Sequence, residues 1–193
     1  MAATIPTNGI VLNSGLDVAD GDITLANGHG VSFAATADGG DADGRAEILN
    51  DYEEGSFSVL VADATSSGNS NAMANSGEVD GVYTKIGDTV FFSIAGTLDT
   101  SGLTGTNGIY LQGLPFTANN RTNFYELSTP RIAAGNAWNL SSGYTYISAT
   151  VPASATNINF YEQGDNATGL GVKVNQVTDD TSVRVQGSYH TDS

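Results

Sequence analysis

The chain has 193 residues, no cysteine, two histidines, and 21 acidic against 6 basic side chains, for a formal net charge of −15 at pH 7. The lack of cysteine excludes disulfides and thiolate metal sites, and so acidic a surface repels phosphate backbones and anionic membranes, arguing against a nucleic-acid role. Gly, Ser, Thr, Asn and Ala dominate over charged residues, a mix that suits short strands joined by turns and not long surface helices.

Residues 1–36 read as small strands between Gly, Asn and Asp: Gly9-Ile10-Val11-Leu12, Gly21-Asp22-Ile23-Thr24-Leu25 and Gly30-Val31-Ser32-Phe33. Asn8-Gly9-Ile10 and Asn27-Gly28-His29-Gly30-Val31 look like one turn-then-strand unit used twice. So short a segment buries no core alone and is expected to stack against copies in other subunits, with Ile10, Leu12, Ile23, Leu25, Val31 and Phe33 as the contact residues. The start, Met1-Ala2-Ala3-Thr4-Ile5-Pro6, has neither the basic nor the apolar region of a signal peptide. No apolar run approaches a membrane span, so no membrane insertion is expected.

Residues 37–55 read as a linker. It is small and polar through Gly44, with a possible helical turn at Arg45-Ala46-Glu47-Ile48-Leu49. In Asp51-Tyr52-Glu53-Glu54-Gly55, Tyr52 is the expected packed residue, and Gly55 is expected to release the chain into a strand through positive φ. From residue 56 to 193 the pattern is all-β. A strand at 56–61 precedes a Ser/Asn/Gly-rich loop over 63–77. Strands at 79–86 and 89–98 flank Gly87-Asp88, a two-residue hairpin turn. Further strands are expected at 106–112, 144–151, 157–161, 171–177 and 181–189, and Pro115 takes the chain out of a sheet. This frequency of strands and turns predicts an antiparallel β-sandwich, jelly-roll-like.

Three phrases carry a family likeness. They are Leu49-Asn50-Asp51-Tyr52-Glu53-Glu54-Gly55-Ser56-Phe57, then Tyr83-Thr84-Lys85-Ile86-Gly87-Asp88-Thr89-Val90-Phe91-Phe92, then Leu111-Gln112-Gly113-Leu114-Pro115-Phe116. In this order they resemble the C-terminal modules of tailed-bacteriophage fibres and related virion appendage proteins, which read L-D-D-Y-E-E-G-T-[WF], Y-T-K-I-G-N-x-V and G-L-P-F. The likeness covers residues 45–120 best and departs at Asn50 and at Ser56-Phe57. It implies a virion structural protein, assembled in the host cytoplasm and trimeric, joined to other capsid or tail proteins through residues 1–36. Two placements follow: a short fibre binding a host-surface polysaccharide, or a capsid decoration or head-fibre protein.

Little in the sequence points to catalysis or cofactors. Asp41 and Asp43, like Asp17, Asp20 and Asp22, invite a calcium reading, but neither set has the twelve-residue ligand spacing, and solvated acidic loops are expected instead. His29 and His190 lie in different segments, so no metal site is assigned. Adjacent Glu53 and Glu54 face opposite ways in an extended chain and make no acid/base pair. No G-x-S-x-G, H-E-x-x-H or P-loop occurs, so the chain is read as non-enzymatic and cofactor-free, with a polysaccharide hydrolase as the distant third class.

Aromatic and amide residues of the second half supply the candidate binding site. Sugars pack C–H groups on aromatic faces while amides take their hydroxyls. Tyr125, Asn136, Trp138, Asn139 and Tyr144 are the candidate contacts, with Trp138 expected to be exposed or at a subunit contact. Tyr144 and Tyr146 are expected on one face of a strand, and one of Phe160 and Tyr161 in the core.

Overall fold

The computed structural model describes residues 31–32, 48–49, 52–74, 79–120, 131–134, 138–165, 167–178 and 181–192. Ile10, Leu12, Ile23, Leu25, Phe33, Tyr125, Asn136 and both acidic clusters lie outside them. Val31 is in β1 (Val31–Ser32), which pairs antiparallel with β2 (Ile48–Leu49). The end of the expected helical turn is therefore extended, since Ile48 and Leu49 bond across to another strand rather than along their own chain.

Two antiparallel sheets form a β-sandwich. One sheet orders β3 (Tyr52–Phe57), β6 (Gly81–Ile86), β7 (Thr89–Thr97), β13 (Ser182–His190) and β9 (Arg131–Ala134). The other orders β10 (Tyr146–Thr150), β11 (Asn157–Gly164), β8 (Tyr110–Gln112), β4 (Leu60–Ala62) and β5 (Ser70–Ala72), with β12 (Ala167–Gly171) also paired to β11. Alternation fills the space between them. Val90, Phe92 and Ile94 of β7 and Val183, Val185 and Tyr189 of β13 meet Val61, Leu111, Ile158 and Phe160 of the opposite sheet.

The β6–β7 hairpin forms as expected, with Gly87 at φ 59° opening its two-residue turn. The expected strand at 56–61 is instead two strands in different sheets. The chain leaves β3 at Phe57 and enters β4 at Leu60, and the crossing is held by the Val59 N–H on Asp80 Oδ2 at 2.8 Å. The loop expected over 63–77 contains β5, paired with β4. Its start is tied down by Asp63, whose carboxylate accepts from Asn69 N at 2.7 Å, Asn69 Nδ2 at 2.9 Å and Thr104 N at 2.9 Å. The backbone N–H of Thr104, then the Asn69 amide, hold the Asp63 carboxyl down at about 2. Where a strand was expected at 171–177, β12 ends at Gly171 and Val174–Gln176 is a 3-10 turn, closed by Lys173 N donating to Gln176 Oε1 at 2.7 Å.

All three motif phrases meet in one packing cluster. Phe57 lies 6.4 Å from Tyr83, and Tyr83 packs edge-on against Phe116 at 5.3 Å. Lys85 Nζ sits 5.6 Å from the centre of the Phe116 ring. Buried Tyr189 clamps the last phrase: its hydroxyl donates to Phe116 O at 3.0 Å and accepts from Phe116 N at 3.2 Å. Burial pushes the Tyr189 phenol up to about 12, so it stays a donor. Gly55 lies within β3 and is not among the positive-φ glycines; a Cβ there would come 2.9 Å from the Tyr83 ring, so the position needs the missing side chain. Tyr52 is not packed. It is 58% exposed, because alternation puts it with Glu54 and Ser56 on the outer face, where its hydroxyl donates to Glu54 Oε2 at 2.7 Å.

Candidate functional site

The loop expected to carry the glycan contacts is a strap across the sandwich edge. Trp138 is half-buried against the core, its ring 5.3 Å from Phe160, with its Nε1 buried and without a partner among the described residues. It is therefore not an exposed contact residue: a large apolar ring beside the open edge of the core gains more from packing on Phe160 than from water. Asn139 donates its backbone N–H to Gln176 O at 2.8 Å, and its own carbonyl accepts from Gln176 Nε2 at 3.2 Å. Tyr144 lies before β10, not in it, and its hydroxyl donates to Thr168 O at 2.9 Å. The expected partnership of Tyr144 and Tyr146 on one strand face does not form.

Beneath this strap is Glu162, 2% exposed. It accepts from Ser141 N and Ser141 Oγ, both at 2.7 Å, and from Gln176 Nε2 at 3.0 Å. Burial pushes its carboxyl up, but the Ser141 and Gln176 donors and the Lys173 charge more than offset this and hold it below the ordinary value. Its work is to fasten strap and 3-10 turn to β11. Among the described residues no three His, Asp or Glu side chains stand together as a metal site.

A different arrangement of aromatics and amides covers the outer face of the six-stranded sheet. Phe160 faces the core and Tyr161 faces out, as expected for one of that pair. Tyr161 stands opposite Ser148 on β10; one step further along, Tyr146 stands opposite Gln163. On the other side of β11, Tyr110 of β8 stands opposite Asn159. Tyr146, Tyr161 and Tyr110 thus form a diagonal across three neighbouring strands, in steps of roughly 7–8 Å. Tyr146 is 58% exposed, and Tyr161 and Tyr110 are partly buried.

Polar side chains on this face are uncharged. Asn157 Nδ2 donates to Asn159 Oδ1 at 2.6 Å, and Asn159 Nδ2 to the Tyr161 hydroxyl at 3.4 Å. Gln163 Nε2 donates to Ser148 Oγ at 3.2 Å, and Gln112 Nε2 to Ala64 O at 2.6 Å. No outward position of β10, β11, β8 or β4 carries a charge. In a chain at −15 this is a marked local exclusion. The neighbouring charges belong to Asp165, in the turn after β11, and Lys173, bridged to Gly108 at the margin.

The opposite outer face differs. Tyr52, Val82, Ile86 and Phe91 are 58%, 48%, 41% and 49% exposed and lie on adjacent strands β3, β6 and β7. Val82 and Phe91 also line a shallow depression of about 690 Å³, together with Glu54, Ser56, Thr84 and Ser93.

No protein-family model and no curated protein sequence matches this chain.

Sequence reasoning missed the diagonal because it needs the register of three strands. Alternation shows which residues of a strand share a face, but not which residue of a distant strand lies opposite.

Proposed function

We propose that the chain is a structural protein of a tailed-phage virion: a short, non-catalytic fibre whose distal sandwich binds a host-surface glycan. The observation that carries the binding part is the tyrosine diagonal, set among amides on strands whose outward positions carry no charge. Rings supply flat apolar surface for sugar C–H groups, while amides and phenols supply the hydrogen bonds. The virion part rests on the ordered phrases, which here build one packing cluster from Phe57, Tyr83 and Phe116. Residues 1–36 attach the protein to other virion proteins and hold it as a homotrimer. Three copies of a weak site then act together, since effective concentration rises once one is engaged.

A second reading, capsid decoration or head fibre, draws support from the other outer face. An apolar patch of Tyr52, Val82, Ile86 and Phe91 suits contact with another protein better than contact with a sugar. Immunogold electron microscopy of intact particles, with an antibody against residues 120–193, separates the two. Label at the tail end supports the fibre. Label over the head supports decoration, and purified particles without label overturn the virion reading.

A further inference from the structure

Resting on the glycan reading above, we infer that the tyrosine diagonal takes an internal stretch of a neutral polysaccharide, with the Tyr161 hydroxyl as its fixed hydrogen-bond donor. Three features of the face lead there.

The first is shape. Tyr146, Tyr161 and Tyr110 cross three strands, from the edge strand β10 inward to β8, over about 15 Å at the diagonal spacing of a sheet. The line follows an outer sheet face rather than entering a pocket, so a chain laid along it continues past both ends. Recognition of a terminal sugar would instead need groups converging around one ring.

The second is charge. A carboxylated or sulfated chain would approach a protein at −15 with Lys173, at the Gly108 margin, as the one cation beside the diagonal among the described residues, and a cationic chain would find no carboxylate on the outward positions of β8, β10 and β11. A neutral chain loses nothing to either.

The third is the direction of the hydrogen bonds. The side-chain amide of Asn157 donates to the Asn159 carbonyl oxygen, which fixes the Asn159 amide with its nitrogen toward Tyr161. The Tyr161 oxygen accepts that bond, leaving its own O–H to donate outward. Asn157 is only 5% exposed, so packing confines its side chain, and it serves as a positioning residue. The relay Asn157 to Asn159 to Tyr161 ends in a donor, and a ring or hydroxyl oxygen of a sugar is its complement.

The test uses the full chain and an immobilised panel of neutral and acidic bacterial envelope polysaccharides. Oligosaccharides of stepped length from a retained neutral polymer are then titrated, with and without borohydride reduction of the chain end. The expected result is retention on neutral polymers only, affinity rising with length to a plateau, and no effect of end reduction. Tyr161→Phe keeps the ring and should weaken binding about tenfold through the lost hydroxyl. Tyr146→Ala, on an exposed edge-strand position, should weaken it by about tenfold or more through the lost ring face. Retention only on acidic polymers, or affinity abolished by end reduction, overturns the inference and leaves glycan binding standing. Retention untouched by both variants likewise overturns the inference, since the polymer is then bound elsewhere, whereas no retention on any polymer overturns the glycan reading itself.

Discussion

On the six-stranded sheet the outward positions of β8, β10 and β11 hold tyrosines, amides and hydroxyls. On the five-stranded sheet those of β3, β6 and β7 hold exposed Tyr52, Val82, Ile86 and Phe91 among Glu54, Ser56, Thr84 and Ser93. Both faces follow from the same two-residue alternation over one shared core, so the core does not dictate the difference. A tyrosine carries a polar tip and keeps a wet face soluble while offering a ring. Valine, isoleucine and phenylalanine offer area alone, which is gained only when another apolar surface covers it. On the reading proposed above, the first face meets a hydrated ligand and the second another protein.

The largest effect is expected from removing both outer rings of the first face. Tyr146→Ala with Tyr161→Ala should lower glycan affinity about a hundredfold, at one stacking contact each. Phe91→Ser with Ile86→Thr should leave affinity unchanged in the same titration. Equal losses from the two pairs would erase the distinction between the faces.

Next is Trp138→Ala. As a packing residue against Phe160 it should destabilise the fold by about 3 kcal/mol in urea melts, while the folded fraction binds glycan normally. Lost binding without lost stability would return the site to the strap. Tyr189→Phe deprives Phe116 N–H and C=O of their shared partner and should cost about 1–3 kcal/mol, again without a binding change.

The smallest effect concerns Asp63. Its folded pKa of about 2 lies below its ordinary 3.8, so its contribution is fully present above the ordinary value and is lost as pH falls through about 2. Asp63→Asn should lower the urea midpoint by a constant amount from neutral pH down to about 5, and the gap to the parent should close toward pH 2. A gap that persists at pH 2 would show that geometry, not charge, holds the loop.

Much of the sandwich was legible because its signals are local. Gly87-Asp88 between two alternating runs specified the β6–β7 hairpin, and Phe160 beside Tyr161 implied one ring in and one out. The crossing at Ser58–Val59 was not legible, since 56–61 alternates well enough to pass for one strand and only the Asp80 contact from a later segment separates its halves. Trp138 misled for a related reason. A loop-like sequence suggests exposure, whereas Glu162, distant in sequence, pulls that loop onto the core. The tyrosine diagonal depended on three registers at once and had no local signature.

The crossing at Ser58–Val59 also decides where tension goes. On the proposal above, a pull on a polysaccharide held at Tyr110 would load β8, whose three-pair ladder with β4 leads to the backbone at Val59 and on to β3. Val59 is braced on both sides, its N–H on Asp80 and its carbonyl on the Met73 N–H. On the proposed attachment, load passing from β8 to β4 crosses three residue pairs, against nine between β7 and β13.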